Sequence, residues 1–195
     1  MSFIAPITLS GEHARLEPLE AAHHDALLAA ATDGELWKLW YTSVPPPESL
    51  GAWIVSALAM RRDGVAMPFV IRDQRDGKIV GSTRFCNVDA ANRRAEIGHT
   101  WHAASVQRTA VNTECKLLLL THAFETLGCI AVEFRTHFMN HQSRAAVERL
   151  GAKQDGILRN HSIMADGSLR DTVVFSIIAS EWPAVQRHLQ FKLAR

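Results

Sequence analysis

The spacing of apolar positions changes several times along the chain, and each change marks an element. Ala14–Leu19 (ARLEPL) alternates apolar and polar residues and predicts a short strand, after which His23–Thr32, rich in Ala and Leu, takes up helical spacing. The aromatics Trp37, Trp40 and Tyr41 then precede the triple proline Pro45–Pro47, which no helix crosses because the ring removes an N–H donor and collides with the preceding turn. Helical spacing returns over Glu48–Arg62. From Ala66 two β-branched runs flank Asp76-Gly77, a strong hairpin signal, and Arg94–His102 adds a third strand, so the middle of the chain predicts a three-stranded antiparallel meander. Thr113–Leu127 reads as a helix closed by Gly128, Ile130–Thr136 as a strand, and Asn140–Leu150 as a helix closed by Gly151. Gly156–Ile163 and Asp171–Ile178 complete the pattern as strands about the Asp166-Gly167 turn. The order is one strand, two helices, three strands, a helix, a strand, a helix and two strands.

Composition narrows the possibilities. The 195 residues suit one domain spanning 1–195, with 47% hydrophobic and 21% charged residues and no linker-like break, so disorder is not expected beyond the ends. A formal charge of +1 gives no overall field to hold nucleic acid or anionic lipid, although a local basic pocket stays open. Cys86, Cys115 and Cys129 lack CxxC spacing and read as reduced thiols. The opening MSFIAPITLS has no basic segment leading into an apolar leader core, and no run approaches the roughly 20 apolar residues of a membrane span. A soluble, cytoplasmic protein is expected. Among the ten histidines, His99 with His102 and His137 with His141 are the pairs to weigh for metal binding. Three apart on a strand, the first pair faces opposite ways, and the second lacks HExxH or cysteine partners, so no metal site is expected.

Between the third strand and the next helix lies SVQRTAVNTECKLLLL, Ser105–Leu120. A helix start carries unpaired N–H groups and the positive end of the dipole, which together hold phosphate. Gln107–Thr113 is placed for this: Thr109, Ala110 and Val111 are small or offer an amide, Arg108 adds charge, and Asn112 or Thr113 can cap. A capped helix with Leu117–Leu120 in the core is the ordinary alternative. Both GxxxxGK[ST] and GxGxxG are missing, which disfavours a nucleotide triphosphatase or a dehydrogenase.

The meander ending in AEIGHTWH, the loop, the strand IAVEFRT, the stretch NHQSRAAVERLGA and the finish DGILRNHSIMADGSLRDTVVFSI together resemble the GNAT superfamily of acetyl-CoA-dependent N-acetyltransferases. The resemblance spans nearly the whole chain. It is nearest the branch of ribosomal-protein N-acetyltransferases, on Asn140, Ser143, Arg144, Ala145, Leu150-Gly151 and Glu181-Trp182-Pro183. It implies an α/β (α+β) fold with a mixed, mostly antiparallel central sheet of about seven strands flanked by helices. It also implies acetyl-CoA as acetyl donor, CoA as product, and a primary amine as acceptor, either a protein N-terminus or a small molecule. A homodimer is possible; no motif specifies one. The family's phosphate loop carries glycines where this chain has Ala110 and Asn112, so the loop is expected to keep to ordinary backbone regions.

On that resemblance, Thr100, Trp101 and His102 present backbone N–H groups to the acetyl carbonyl and pantetheine arm. Gln107, Arg108, Thr109, Ala110, Val111, Asn112 and Thr113 hold the diphosphate, and Asn140, Ser143 and Arg144 contact the cofactor. Glu96 is the leading general base, with a salt bridge near Arg93 and Arg94 as its competing reading, and Asp155 and His161 stand in reserve. Many relatives place an acid tyrosine where Val147 stands here; Ser143 is the candidate acid instead. Arg144 either reaches a phosphate or pairs with Glu148. Trp37, Trp40 and Tyr41 shape the acceptor side, against ordinary packing as the alternative. The other readings are a non-catalytic acyl-CoA-binding module and a structural domain.

Overall fold

The computed structural model describes residues 3–42 and 44–195. Met1 and Ser2, at the head of the stretch read for a leader, and Ser43, inside the aromatic and proline joint, lie outside the described residues. The described residues form eight strands: β1 (Leu9–Ser10), β2 (Ala14–Pro18), β3 (Met67–Asp73), β4 (Ile79–Asp89), β5 (Arg94–His102), β6 (Ala131–His137), β7 (Lys153–Ile163) and β8 (Leu169–Ile178). They form one sheet in the order β1-β2-β3-β4-β5-β6-β8-β7. All neighbours are antiparallel except β5 and β6. The helices are α1 (His24–Thr32), α2 (Leu50–Arg62), α3 (Ala110–Thr121), α4 (His141–Glu148) and α5 (Trp182–Leu193).

Seven of these strands and four helices match the expected order; β1 and α5 are additions. The two residues of β1 are too short to show a period. In α5 the buried residues Trp182, Val185 and Leu189 recur at helical spacing, and Pro183 suits its first turn. Helix α3 starts at Ala110, ahead of the expected Thr113, because Thr109 caps it. It passes into a π turn over His122–Thr126, where the Leu127 N–H donates to the His122 carbonyl at 3.0 Å. One apolar core runs from Ile4 to Leu189, and no helix among the described residues is long and apolar enough to cross a membrane.

The two faces of the sheet are distinct. Phe85 packs on Phe69 and on His122 at the end of α3, each with ring centroids 6.2 Å apart. The preceding Arg84 points the other way, its guanidinium 4.8 Å from the Trp53 ring of α2. Strand register carries the α2 face across the sheet, from Cys86 to Glu96, Glu133 and Ser176. A bulge interrupts β5: Arg84 opposes Gly98 and Ser82 opposes Trp101, so His99 and Thr100 together oppose Thr83. His99 takes a left-handed φ of 50° there. The extra residue resets the alternation, bringing Trp101 under α2, 6.4 Å from Trp53, and turning Thr100 towards α3. Gly81 is required by this approach, since a side chain on it would run into the Trp101 carbonyl.

Candidate active site

Parallel pairing between β5 and β6 covers only Arg94, Ala95 and Glu96 opposite Ala131, Val132 and Glu133. Beyond Glu96 the strands part. The β6-facing edge of β5 therefore has backbone groups without a strand partner beside a cleft of about 500 Å³. Ile97, Gly98, His99, Thr100, Trp101 and His102 line it from β5, and Phe134, Arg135, Thr136 and His137 from β6. The cleft thus has one half on the α3 face of the sheet and one on the α2 face.

On the α3 side, Val106, Gln107, Arg108, Thr109 and Asn112 line the cleft. Arg108 adopts a left-handed φ of 62°, so the loop does leave the ordinary backbone regions, at Arg108 and not at Ala110 or Asn112. This turn sets Thr109 as the cap of α3: its Oγ1 donates to the Val106 carbonyl at 2.7 Å and accepts from the Val111 N–H at 3.4 Å. Among the described residues no side chain accepts from the Ala110, Asn112 or Thr113 N–H, and Asn112 Oδ1 is buried without a partner. The side chains of Ala110, Val111 and Thr113 do not line the cleft, and Val111 belongs to the core.

One turn further on, Lys116 also lines the cleft although only 5% exposed. Its Nζ donates to Thr100 Oγ1 at 2.6 Å, and burial pushes its pKa down to about 8. Beside it, burial and then the charge of Lys116 hold the His102 imidazole down to about 3, so it is neutral. Helix α4 closes this half. Asn140 caps it, its Oδ1 accepting from the Ser143 N–H at 2.9 Å, while Ser143 Oγ has no hydrogen-bond partner among the described residues. Asn140, Ser143 and Val147 all line the cleft. Arg144 does not: it donates to the Phe138 carbonyl at 3.2 Å and stacks 4.9 Å over that ring, and it forms no ion pair with Glu148. Arg149, absent from the sequence reading, lines the cleft in its place.

On the α2 side, Glu96 is 7% exposed and lies behind the lining. It accepts from Asn87 Nδ2 at 2.7 Å and pairs with Arg135 at 3.5 Å, not with Arg93 or Arg94. Burial raises its pKa, outweighing the Asn87 hydrogen bond and the charge of Arg135. Arg135, His137 and Arg170 line this half. Tyr41 lines it together with Leu36, Leu39, Thr42 and Val44. Trp37 is half-buried against the core, and Trp40, 55% exposed, meets the Tyr41 and His137 rings edge-on at 5.7 and 5.0 Å; neither tryptophan lines the cleft. Asp155 accepts from Ser176 at 3.0 Å and His161 bonds Thr172 at 3.0 Å, both outside the cleft. The signal that could have found Arg135 and His137 was the alternation Glu133, Arg135, His137 along β6. No group of three His, Cys, Asp or Glu side chains among the described residues is arranged to hold a metal ion.

A mostly antiparallel sheet whose central parallel pair splits beside a bulge, with a capped helix start on one side of the gap, is an architecture that known proteins share. Residues 13–153 match the family model described as acetyltransferase (GNAT) domain, and the chain belongs to that family. The chain is 34% identical over 107 residues to YdaF of Bacillus subtilis (strain 168), provisionally named a ribosomal N-acetyltransferase; that match covers 55% of this chain and 57% of the relative. A crystal structure of a GCN5-related N-acetyltransferase from Brucella melitensis superposes with a TM-score of 0.87 at 31% identity, covering 97% of this chain and 86% of that one. RimJ of Mycobacterium smegmatis, solved with CoA-disulfide, shares the fold with a TM-score of 0.80 at 24% identity, covering 96% and 95%.

Proposed function

We propose that the chain transfers the acetyl group of acetyl-CoA to a primary amine, by direct attack within a ternary complex. The observation that carries this reading is the gap between β5 and β6, which joins an anion-ready helix start on one face to a separate compartment on the other. The residues present suit the cofactor: uncapped N–H groups at the start of α3 and the cation of Arg108. When bound, acetyl-CoA supplies an activated thioester. The N–H groups of Thr100, Trp101 and His102 are the donors proposed for its carbonyl and pantetheine arm, whatever their side chains. Gln107–Thr113 is the proposed diphosphate loop, with Asn140 and Ser143 beside the arm.

Glu96 is the proposed base, its raised pKa keeping it basic enough to take a proton from the amine through a water. The unbonded Ser143 hydroxyl is the proposed donor towards the departing thiolate, and Tyr41 the proposed wall of the acceptor site. Burial pushes the thiols of Cys86 and Cys115 up to about 12 and that of Cys129 up to about 11, so none supplies a thiolate for a covalent carrier, which favours direct attack. The test is a calorimetric titration with acetyl-CoA followed by thiol-release assays over an amine panel. Micromolar binding and amine-dependent release are expected. Binding without release would leave a non-catalytic acyl-CoA module, and no binding would overturn the reading.

A further inference from the structure

The cleft lining contains no Asp or Glu among the described residues, yet Arg108, Lys116, Arg135, Arg149 and Arg170 all reach it. Arg108 and Lys116 belong to the α3 side. Arg135 and Arg170 lie across the sheet: Arg135 alternates with His137, which packs on Trp40, and Arg170 Nε donates to Thr172 Oγ1 at 3.0 Å, opposite His137 in the register. The carboxylates of this face are already engaged. Glu133 pairs with Arg94 and Arg135, Glu96 with Arg135, Asp171 with Arg159, and Asp155 with Ser176. Arg170 has no carboxylate within ion-pair distance among the described residues, and its terminal amino groups make no hydrogen bond there. Opposite Gly98 on the neighbouring strand, Arg84 is 2% exposed, and its Nε and Nη2 have no partner among the described residues, which adds a further buried positive charge on the α2 face.

Arg170 is part-buried and feels the charge of Glu96 without forming an ion pair with it, which leaves its terminal amino groups open to a ligand, and such forks match carboxylate and phosphate in geometry. We propose that Arg170, which lines the same half of the cleft as Arg135, forms an anion subsite in the acceptor half, selecting primary amines that carry a carboxylate or phosphate near the amine. The inference rests on the acetyltransferase reading of the same cleft. A polyamine meets only like charge there. The same positive field eases loss of a proton from the bound ammonium, leaving the neutral amine that attack requires.

The experiment pairs acceptors differing only in the anion: phenylalanine with phenethylamine, O-phosphoethanolamine with ethanolamine, and peptides with acidic or neutral residues after a free N-terminus, with spermidine as the opposite charge. With acetyl-CoA present, the anionic member of a pair should show at least about 10-fold higher kcat/KM, falling with added salt. Arg170→Gln should collapse that ratio through KM, and Arg170→Glu should turn it towards spermidine, a gain that misfolding cannot produce. A preference confined to small molecules, or shared by acidic peptides, identifies the source of the anion. Equal rates within every pair, or a ratio untouched by Arg170→Gln, would overturn the subsite and leave acetyl transfer standing. If no amine is acetylated, the transferase reading fails, and calorimetry of the CoA-loaded protein with phenylalanine and O-phosphoethanolamine decides the subsite. Binding abolished by R170Q supports it; no binding rejects it.

Discussion

On the α3 side the cleft is walled by one continuous stretch, Val106–Lys116, together with α4; on the α2 side single residues from β5, β6, β8 and the Leu36–Val44 segment converge from distant parts of the chain. The first wall presents backbone N–H groups at a helix start and needs few side-chain identities. The second is built mainly from side chains, so its selectivity rests on which residues alternate onto one face of three strands. The proposed phosphate loop is local chemistry, whereas the proposed acceptor site is made by sheet register. The β5 bulge couples them, because it decides that Thr100 meets Lys116 while Trp101 goes under α2.

The largest expected effect falls on the α2 side. Glu96→Gln should lower kcat/KM by about 100-fold or more if this carboxylate takes the amine proton. Because burial raises its pKa, the rising limb of the pH profile should sit above the ordinary carboxylate value of about 4.3 and vanish in the variant. A loss under 10-fold with the limb intact would make Glu96 a structural partner of Asn87 and Arg135.

The next effect, on the α3 side, is one of stability. The Lys116 pKa of about 8 lies below its unfolded value, so the folded chain binds fewer protons between the two. The buried-charge penalty is therefore complete below about pH 8 and relieved as pH rises towards the ordinary lysine value of about 10.4. Lys116→Met should stabilise the protein at pH 7 by up to about 3 kcal/mol, less what the lost bond to Thr100 contributes, and the gain should shrink by pH 9.5. Urea unfolding at both pH values checks the sign.

The contrast between the walls explains what was legible in the sequence. The strands of the meander, the loop and the α4 cap could be read because their signals are local: Gly77 takes a φ of 72° in its turn, Gly151 ends α4 with a φ of 103°, and Asn140 caps at its own helix. That Arg135 and Arg170 line the same half of one cleft could not be read, since it depends on β6 lying against β8, a pairing that spacing does not encode. Nor could the left-handed Arg108 be anticipated. The expected rule was about glycine positions, and the chain put its turn at a residue that pays the steric cost in exchange for placing the Thr109 cap. Helix α5 is legible only through the spacing of Trp182, Val185 and Leu189, which mark its buried stripe.

Smaller effects separate residues within the α3 wall. Arg108→Ala should weaken acetyl-CoA binding about 10-fold, since it removes one phosphate cation and leaves the helix start in place. Arg144→Ala provides the contrasting case, because this arginine anchors the Phe138 carbonyl and ring. Its loss should cost about 1 kcal/mol of stability and change the acetyl-CoA Kd less than about twofold. Titration calorimetry and thermal melts on the two variants, run side by side, would test this division. A Kd that moved more for Arg144→Ala than for Arg108→Ala would mean that α4 reorganises on binding and that the phosphates sit nearer α4 than the start of α3.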